Sequence, residues 1–463
     1  MKVIDILRRE EQKATIYLGG QILVQVLSAA SVFIFTRLLT TEEYGVVAVY
    51  TTCSTFLSYF IGIQSHGTIG IAKVHKSDKY EKYCVIPYIL TLITTIFFLM
   101  IAFFCLKTID RLLGLSGPIV IFMFLHTAGI TFLNIQNSIY RMDMKAVNYV
   151  SNNLSVNLLA IILSIVLIIG FNSGRDTGRI LGMGIPYILF GVFFFYKAIK
   201  RIGLSFDKEL YGFCVKLSVP LVLHGISAQV LSHSDILMLG NMRGDVEAGI
   251  YSFCYSVAGP LVGIWAAFNA AWQPDYLLKK KEGNEKWLKE HSNNYLFNFT
   301  LLMCGYLLVC QEILKIMGSE DYWIGERIIP LIVVASYLQF LYSFPSNYEF
   351  FKGKTKMIAI GTGTAAVINI IINLSFVPQF GILAAAASTV IAYLVLFLMH
   401  DIFARKLGDY DYSWGFYLKG MAPVIMCVIL TYLLKDYVAV RWGIGTVIAI
   451  ILGRHLLKTK TLL

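Results

Sequence analysis

Uncharged runs of about twenty residues recur along this chain, and they limit its fold more than any other feature. Examples are residues 17–36, 85–106, 112–140, 248–274 and 291–311. A helix of that length crosses the hydrocarbon core of a bilayer, which is about 30 Å thick. Only 14% of the 463 residues are charged, whereas soluble domains usually carry about 25%. The pattern predicts an all-α, polytopic membrane protein.

The runs divide the chain into about fourteen predicted spans. They lie at residues 15–38, 44–64, 83–106, 117–139, 147–170, 178–196, 215–240, 247–272, 293–314, 328–350, 357–377, 380–402, 417–434 and 438–456. With the N-terminus inside, 29 of the 39 Lys and Arg residues fall on the inner side. The positive-inside rule therefore predicts that both termini are cytoplasmic. It also explains the net charge of +11 without nucleic acid as a partner.

Two short segments hint at an internal duplication. Glu43 is followed by a glycine two residues later in "TTEEYGVVAVY", and so is Glu247 in "GDVEAGIYSFCY". Each segment follows an odd-numbered span on the predicted outer side. This favours two six-helix lobes of the same orientation, at residues 1–205 and 206–405, with two additional helices at 406–463. Parallel repeats of this kind place a substrate path between the lobes.

Several classes of function lack their sequence signals. The eight cysteines contain no C-x-x-C pair, so neither a zinc site nor a disulfide framework is predicted. The charged opening "MKVIDILRREEQK" is not typical of a cleavable signal peptide. No loop between the predicted spans exceeds about twenty residues, which disfavours a membrane glycosyltransferase or polymerase. We therefore expect neither an enzyme nor a bound cofactor.

Polar side chains recur at helical spacing on several spans, so that each of these spans has a polar face. These side chains are Thr127, Thr131, Asn134, Asn137 and Ser138 in the fourth span, Ser336, Gln339, Ser343 and Asn347 in the tenth, and Gln21, Gln25 and Ser28 in the first. A helix surrounded by lipid has no use for such a face. The stripes indicate a polar cavity or, alternatively, hydrogen bonds between packed helices.

The seventh span carries ionisable residues on one face. Asp235 lies eleven residues after His224, about three helical turns, so both side chains point in nearly the same direction. Ionisable groups inside a membrane usually face the interior of a bundle or a water-filled cavity. Asp235 and His224 are therefore predicted to face the cavity, although a loop-facing aspartate and an ordinary core histidine remain alternatives.

Three cations near the ends of spans complete the predicted site. Arg37 lies at the outer end of the first span, and Arg141 and Lys216 lie near the cytoplasmic mouth. Arg37 could bind phosphate or simply pair with Asp235 or Glu43. Arg141 and Lys216 could form a vestibule for an anionic substrate or anchor their helices at the membrane interface. Glu349 is close to the inner boundary and off the polar face of its helix, so we do not include it.

Three blocks of the sequence resemble the signatures of oligosaccharide flippases. They are "TRLLTTEEYGVVAVY" (36–50), "SDILMLGNMRGDVEAGIYSFCYS" (234–256) and "KGKTKMIAIGTGTAAVINIIINLSFVPQFGILAAAASTVIAY" (352–393). The blocks cover both predicted lobes in the expected order. The family often has a basic residue directly after the aspartate of the second block, but here Ile236 follows Asp235. An ion pair at that corner is therefore in doubt.

The resemblance implies the fold of the multidrug/oligosaccharidyl-lipid/polysaccharide (MOP) superfamily, with two six-helix lobes around a central cavity. It also implies a substrate, an undecaprenyl-pyrophosphate-linked oligosaccharide repeat unit moved across the bacterial cytoplasmic membrane by alternating access. Coupling to Na⁺ or protons, contact with membrane lipids and association with polysaccharide polymerase or assembly proteins belong to the same expectation. The alternatives are a drug/cation antiporter of the superfamily and a lipid II flippase.

Overall fold

A computed structural model describes residues 2–171, 173–204 and 207–459, and helices are the only regular secondary structure in these ranges. The chain divides into two compact units, Met1–Gly249 and Ile250–Leu463. Twelve helices of the described part are long and apolar enough to cross a membrane. The predicted class, an all-α polytopic membrane protein, is confirmed. The lobe boundaries at 205/206 and 405/406 stay a prediction.

The first unit holds nine helices and the start of a tenth within its described residues. They are α1 (Lys2–Leu38), α2 (Thr41–Phe60), α3 (Ile69–His75), α4 (Tyr80–Tyr83), α5 (Ile86–Leu113), α6 (Gly117–Met142), α7 (Ala146–Gly170), α8 (Arg175–Ile202), α9 (Lys208–Arg243) and the start of α10 (Asp245–Lys281). Short 3-10 segments connect α2 to α3 and α3 to α4.

The two segments of the apparent duplication begin helices in the same way. Glu43 completes a capping box with Thr40 at the start of α2, and Glu247 pairs with Arg243 at the start of α10 (2.8 Å). The glycines that follow, Gly45 and Gly249, lie where these two helix starts cross. A Cβ on Gly45 would stand 1.8 Å from the Asp245 carbonyl oxygen. Glycine is required there because the two backbones leave no room for a side chain.

The second unit contains the rest of α10 and five further helices within its described residues. They are α11 (Glu285–Met317), α12 (Ile329–Phe351), α13 (Thr355–Lys406), α14 (Trp414–Leu433) and α15 (Val438–Thr459). A 3-10 segment, Glu320–Arg327, precedes α12.

Helix α13 is too long for one crossing and reverses at Gly381. Its 52 residues contain one non-helical residue, Gly381, at φ 55° and ψ −134°, a conformation that only glycine adopts readily. Asn369 before the break donates a hydrogen bond to Ser388 after it (3.3 Å), which requires the two halves to fold back on each other. The halves correspond to the predicted spans 357–377 and 380–402.

The last two predicted spans, 417–434 and 438–456, are helices, and the charged Arg441 within the second of them has hydrogen-bond partners. Arg441 lies in the first turn of α15 and is almost fully buried. Its guanidinium donates to the carbonyl oxygens of Leu434 and Leu308 (both 3.0 Å) and pairs with Glu312. The arginine therefore joins α15 to the end of α14 and to α11 rather than interrupting a span.

Candidate functional site

The polar stripe of α6 faces the interior of the first unit. Thr127, Thr131 and Ser138 are buried, and Asn134 is half-buried. The two threonine hydroxyls donate to carbonyl oxygens one turn earlier, at 2.7 and 2.9 Å. Their oxygens keep lone pairs for another partner. The helix therefore presents amide and hydroxyl groups to neighbouring helices.

Helix α7 supplies three more amides, at Asn152, Asn153 and Asn157. Asn152 donates to the Asn137 side-chain oxygen (2.8 Å), and Asn137 donates to the Asn153 side-chain oxygen (3.1 Å). These bonds join α6 to α7. Asn137 is thus both an interhelical contact and part of a polar surface, which combines the two alternatives that the sequence left open.

A cavity of about 260 Å³ lies between α2, α6, α7 and α8 of the first unit. It is lined by Thr51, Ser54, Thr55, His126, Ile130, Leu133, Asn134, Asn137, Asn152, Asn153, Val156, Asn157, Met183 and Tyr187. Five of these described lining residues are asparagines, and none is an aspartate or glutamate. We call this the amide cavity.

Some polar atoms in its wall are buried and still available. Tyr50 and His126 Nδ1 are within hydrogen-bond distance (3.0 Å), and Tyr187 donates to Asn157 (3.3 Å). His126 Nε2 and the Asn152 side-chain oxygen have no hydrogen-bond partner within the described ranges. Leaving a buried polar atom unpaired costs about 1–3 kcal/mol, so a bound hydroxyl group would be favoured here.

The chemistry of the amide cavity suits a neutral ligand with many hydroxyl groups. Each asparagine offers two N–H donors and one carbonyl acceptor, and each hydroxyl residue can donate or accept. A cation would find no counter-charge among the described lining residues. Asn134 is the most available amide, because it makes no side-chain hydrogen bond to any described residue.

The structure brings together two of the ten predicted site residues, Asn134 and Asn137, at the amide cavity. Asp235 lies on α9 of the same unit and is fully buried. His224 lies on α9 as well, but its side chain is outside the described part. Neither residue lines the amide cavity as described, so their predicted roles stay predictions.

The predicted cations lie at exposed positions of the first unit. Arg37 stacks on Phe33 of its own helix, with the guanidinium 3.7 Å from the ring centroid. Arg141 is exposed at the end of α6 and donates to Ser138 (3.2 Å). Lys216 is exposed on α9, and Gln25 is exposed on α1. All four remain predicted contacts.

Two predicted residues belong to the second unit. Gln339 is half-buried on α12. Asn347 is buried on the same helix, accepts a hydrogen bond from Gln273 (2.9 Å) and donates one to Asn269 (3.1 Å). This amide cluster repeats the chemistry of the first unit. That residues of both units share one cavity stays a prediction.

Sequence reasoning missed two polar clusters. Asn152, Asn153 and Asn157 were overlooked, although Asn153 and Asn157 share a helix face at i, i+4 spacing in "SNNLSVN". Glu349, which we left out, is fully buried against His400, with Nδ1 of the histidine 2.9 Å from a carboxylate oxygen. No local pattern indicates that pair, because its members lie 51 residues apart.

A match to a protein-family model over residues 11–275 indicates the family of this chain. A family model described as polysaccharide biosynthesis protein matches residues 11–275, more than half of the sequence. An uncharacterized membrane protein of Methanocaldococcus jannaschii is 23% identical over 272 residues, which is 52% of this chain and 50% of that protein. The chain thus spans about half the length of this curated relative.

Solved structures of transporters share the fold. The lipid II flippase MurJ in an inward closed conformation matches with a TM-score of 0.73 and 16% identity, over 96% of this chain and 99% of that one. A multidrug resistance MATE family transporter of the MOP superfamily matches with a TM-score of 0.62 and 15% identity, over 86% and 100%. At such identities the likeness establishes the fold alone. The expected MOP-like helical fold is confirmed, whereas the two lobes around a central cavity stay a prediction.

Proposed function

This chain belongs to the polysaccharide biosynthesis protein family, and from that premise we propose that it is a flippase for lipid-linked oligosaccharides. The substrate is an undecaprenyl-pyrophosphate-linked repeat unit, which the protein moves from the cytoplasmic to the outer leaflet of a bacterial cytoplasmic membrane. Surface polysaccharide synthesis then consumes the product. Alternating access between the two sides of the membrane, coupled to Na⁺ or protons, provides the mechanism.

The amide cavity is the observation that carries the proposal. A sugar crossing hydrocarbon must shed the water bound to its hydroxyls, and each unpaired hydroxyl is costly. The asparagine, threonine and serine side chains of this cavity can replace that water as donors and acceptors. They do so without a charge that would hold the sugar in place and prevent its release.

The pyrophosphate needs cations, and the exposed Arg141 and Lys216 are suited to supply them. Both lie on the predicted cytoplasmic side, and neither forms an ion pair with a described residue. A guanidinium binds phosphate oxygens with charge-assisted hydrogen bonds. Arg37 serves the same purpose at the other end of the path in this proposal. Asp235, fully buried on α9, is the proposed site of the coupling ion.

A drug/cation antiporter is less well supported by the same cavity. A cationic drug in a low-dielectric site requires a carboxylate nearby, and the described lining of the amide cavity has none. A lipid II flippase would handle similar chemistry, because its substrate is also a lipid-linked sugar. These alternatives differ in substrate and can be separated directly.

The test uses the full chain in proteoliposomes with three fluorescent substrates. They are an undecaprenyl-pyrophosphate-linked oligosaccharide, lipid II, and a cationic dye such as ethidium. Movement of each fluorescent substrate across the bilayer is followed as the fraction that becomes accessible to a membrane-impermeant quencher. We expect protein-dependent movement of the oligosaccharide lipid. Movement of ethidium alone would contradict the proposal, and movement of lipid II alone would reassign the substrate.

A matched pair of variants tests the cavity itself. Asn134→Leu removes an amide that faces the amide cavity and makes no hydrogen bond to described residues. Asn148→Leu makes the same change at an exposed position of α7 outside that lining. We expect transport of the oligosaccharide lipid to fall at least tenfold in the first variant and to stay near wild type in the second. Equal transport in both variants would refute the role of the cavity.

A further inference from the structure

A second cavity lies at one end of the first unit, among helix ends that are predicted to be cytoplasmic. Its volume is about 240 Å³. It is lined by Lys73, Tyr80, Glu81, Cys84, Gln136, Ile139, Tyr140, Asp143, Lys145, Lys197, Ala198, Arg201 and Ile202. No lining residue is shared with the amide cavity. We call it the basic cavity.

The described lining of the basic cavity has a surplus of two positive charges. Four side chains are cationic and two are acidic. Asp143 accepts hydrogen bonds from Lys73 (2.8 Å) and Lys145 (3.4 Å). Arg201 pairs with Glu81 (2.6 Å). Two carboxylates therefore offset only part of the charge of four cations.

Lys197 carries much of that surplus. It forms no ion pair with a residue of the described ranges, and its ammonium lies 6.0 Å from the centroid of the Phe193 ring. The pair of Arg201 and Glu81 is largely exposed, with 65% and 72% of the two side chains accessible. Solvent-exposed ion pairs are weak, so Arg201 can exchange Glu81 for an external anion.

Asp143 stays ionised at neutral pH and does not remove the surplus by binding a proton. Partial burial alone would raise the pKa of its carboxyl, but the hydrogen bonds and charges of Lys73 and Lys145 outweigh that effect and lower the pKa. The carboxylate therefore orders these two lysines at the cavity rim. Gln136 also lines the cavity and accepts a hydrogen bond from Tyr88 (3.0 Å).

The position of the basic cavity indicates which anion it meets. It opens at the ends of α6 and α8, beside α4, at the end of the first unit that the positive-inside rule places on the cytoplasmic side. Two tyrosines, Tyr80 and Tyr140, line it, and tyrosine is typical of the level of lipid head groups. Basic pockets between helix ends on the cytoplasmic side are known to hold phosphate-bearing head groups.

We propose that the basic cavity binds the phosphate group of an anionic membrane lipid, with Lys197 and Arg201 as the principal contacts. Lys73 and Lys145, held by Asp143, complete the positive rim. This site shares no lining residue with the amide cavity and does not rest on the proposed function. A lipid bound there fixes α6 and α8 at the inner membrane surface.

The experiment measures lipid retention by native mass spectrometry. Full-length protein is released from nanodiscs of phosphatidylcholine with increasing fractions of phosphatidylglycerol. We expect wild type to retain phosphatidylglycerol preferentially. A direct contact between an exposed cation and the bound phosphate contributes up to about a factor of five in affinity. Lys197→Gln and Arg201→Gln should each weaken retention by up to about fivefold.

Two further variants separate a specific site from general surface charge. Lys200→Gln removes the same charge three residues from Lys197, on the same helix end but outside the cavity lining, and should leave retention unchanged. Asp143→Asn removes a negative charge from the lining and should strengthen retention. Equal weakening by Lys200→Gln and Lys197→Gln, or no preference for phosphatidylglycerol, would overturn the proposal.

Inorganic pyrophosphate tests whether the basic cavity binds a lipid head group or a free phosphate anion. Its binding to the detergent-solubilised protein is measured by calorimetry for wild type and Lys197→Gln. Binding that weakens in the variant shows that the phosphate group alone is sufficient and that a soluble anion can occupy the site. Absence of pyrophosphate binding, with lipid retention still sensitive to Lys197, assigns the site to the lipid.

Discussion

Gly361 and Gly363 offer a sharp test of the packing in the second unit. Both lie in the first half of α13 and differ in what surrounds them. A Cβ on Gly361 would stand 2.7 Å from His400 Nε2, whereas a Cβ on Gly363 would meet no heavy atom within 4 Å. Gly361→Ala and Gly363→Ala are therefore the same chemical change, one in a closed site and one in an open site.

The magnitude follows from the contact. The new methyl group at position 361 falls about 0.7 Å short of ordinary van der Waals distance, taken as 3.4 Å. The imidazole cannot easily retreat, because His400 is fully buried and held by Glu349 at 2.9 and 3.0 Å. Overpacking of this kind costs about 1–3 kcal/mol. Alanine also favours a helix over glycine by about 1 kcal/mol, a gain common to both variants.

The assay follows unfolding through the cysteines. Six of the eight are buried, so a thiol-reactive dye reports unfolding on heating. A 2 kcal/mol difference shifts Tm by roughly 4–8 °C in a unit of this size. We therefore expect Gly361→Ala to melt several degrees below Gly363→Ala, and the latter to melt at or slightly above wild type.

A double-variant cycle identifies the cause. In a His400→Ala background the clash is absent, so adding Gly361→Ala should no longer carry a penalty. A Gly361→Ala variant as stable as Gly363→Ala would refute the reasoning. A penalty that persists without His400 would place the strain elsewhere.

Three further changes have defined outcomes. Glu349→Leu removes the hydrogen-bond partner of His400 Nδ1 in a fully buried site and should cost about 1–3 kcal/mol; an unchanged Tm in the dye assay would contradict this. Arg441→Met leaves buried carbonyl oxygens unpaired and should make the last two helices more susceptible to limited proteolysis than in wild type. Equal digestion of the two proteins would contradict this prediction. The pKa of the Asp143 carboxyl is lowered because Lys73 stabilises its charged form despite partial burial. The ion pair therefore contributes its full stability above the unfolded-state pKa of about 3.9. That contribution is lost as the pH falls through the lower pKa of the folded state. The difference in Tm between wild type and Asp143→Asn should therefore shrink below about pH 4, and a difference independent of pH would refute the ion pair.

Much of the architecture could be predicted because hydropathy is a local property. The runs of uncharged residues place nearly all of the helices, including the reversal of α13 near Gly381. Their ends are less well predicted, since α9 and α10 extend beyond the spans as Lys208–Arg243 and Asp245–Lys281. A helix continues past the hydrocarbon wherever its backbone remains hydrogen-bonded. Hydropathy shows where the apolar residues end, but not where the backbone hydrogen bonds end.

The candidate site was only partly predictable. The spacing of Asn134 and Asn137 on one face of a helix indicated a polar surface, and both residues line the amide cavity. The spacing could not show that Asn137 bonds to Asn152 and Asn153 of the next helix. Periodicity gives the direction of a side chain on its own helix, but not the neighbour towards which that helix is turned.

The sequence by itself determined that this chain crosses a membrane many times, since no other fold accommodates so many uncharged runs. It also determined which helix faces are polar. Only the tertiary structure decided which of those polar groups meet. It paired Glu349 with His400 across two helices, and it brought Gly45 to the backbone of Asp245. Such pairings depend on how helices cross, and the crossing is fixed by the packing of many side chains at once rather than by any local pattern.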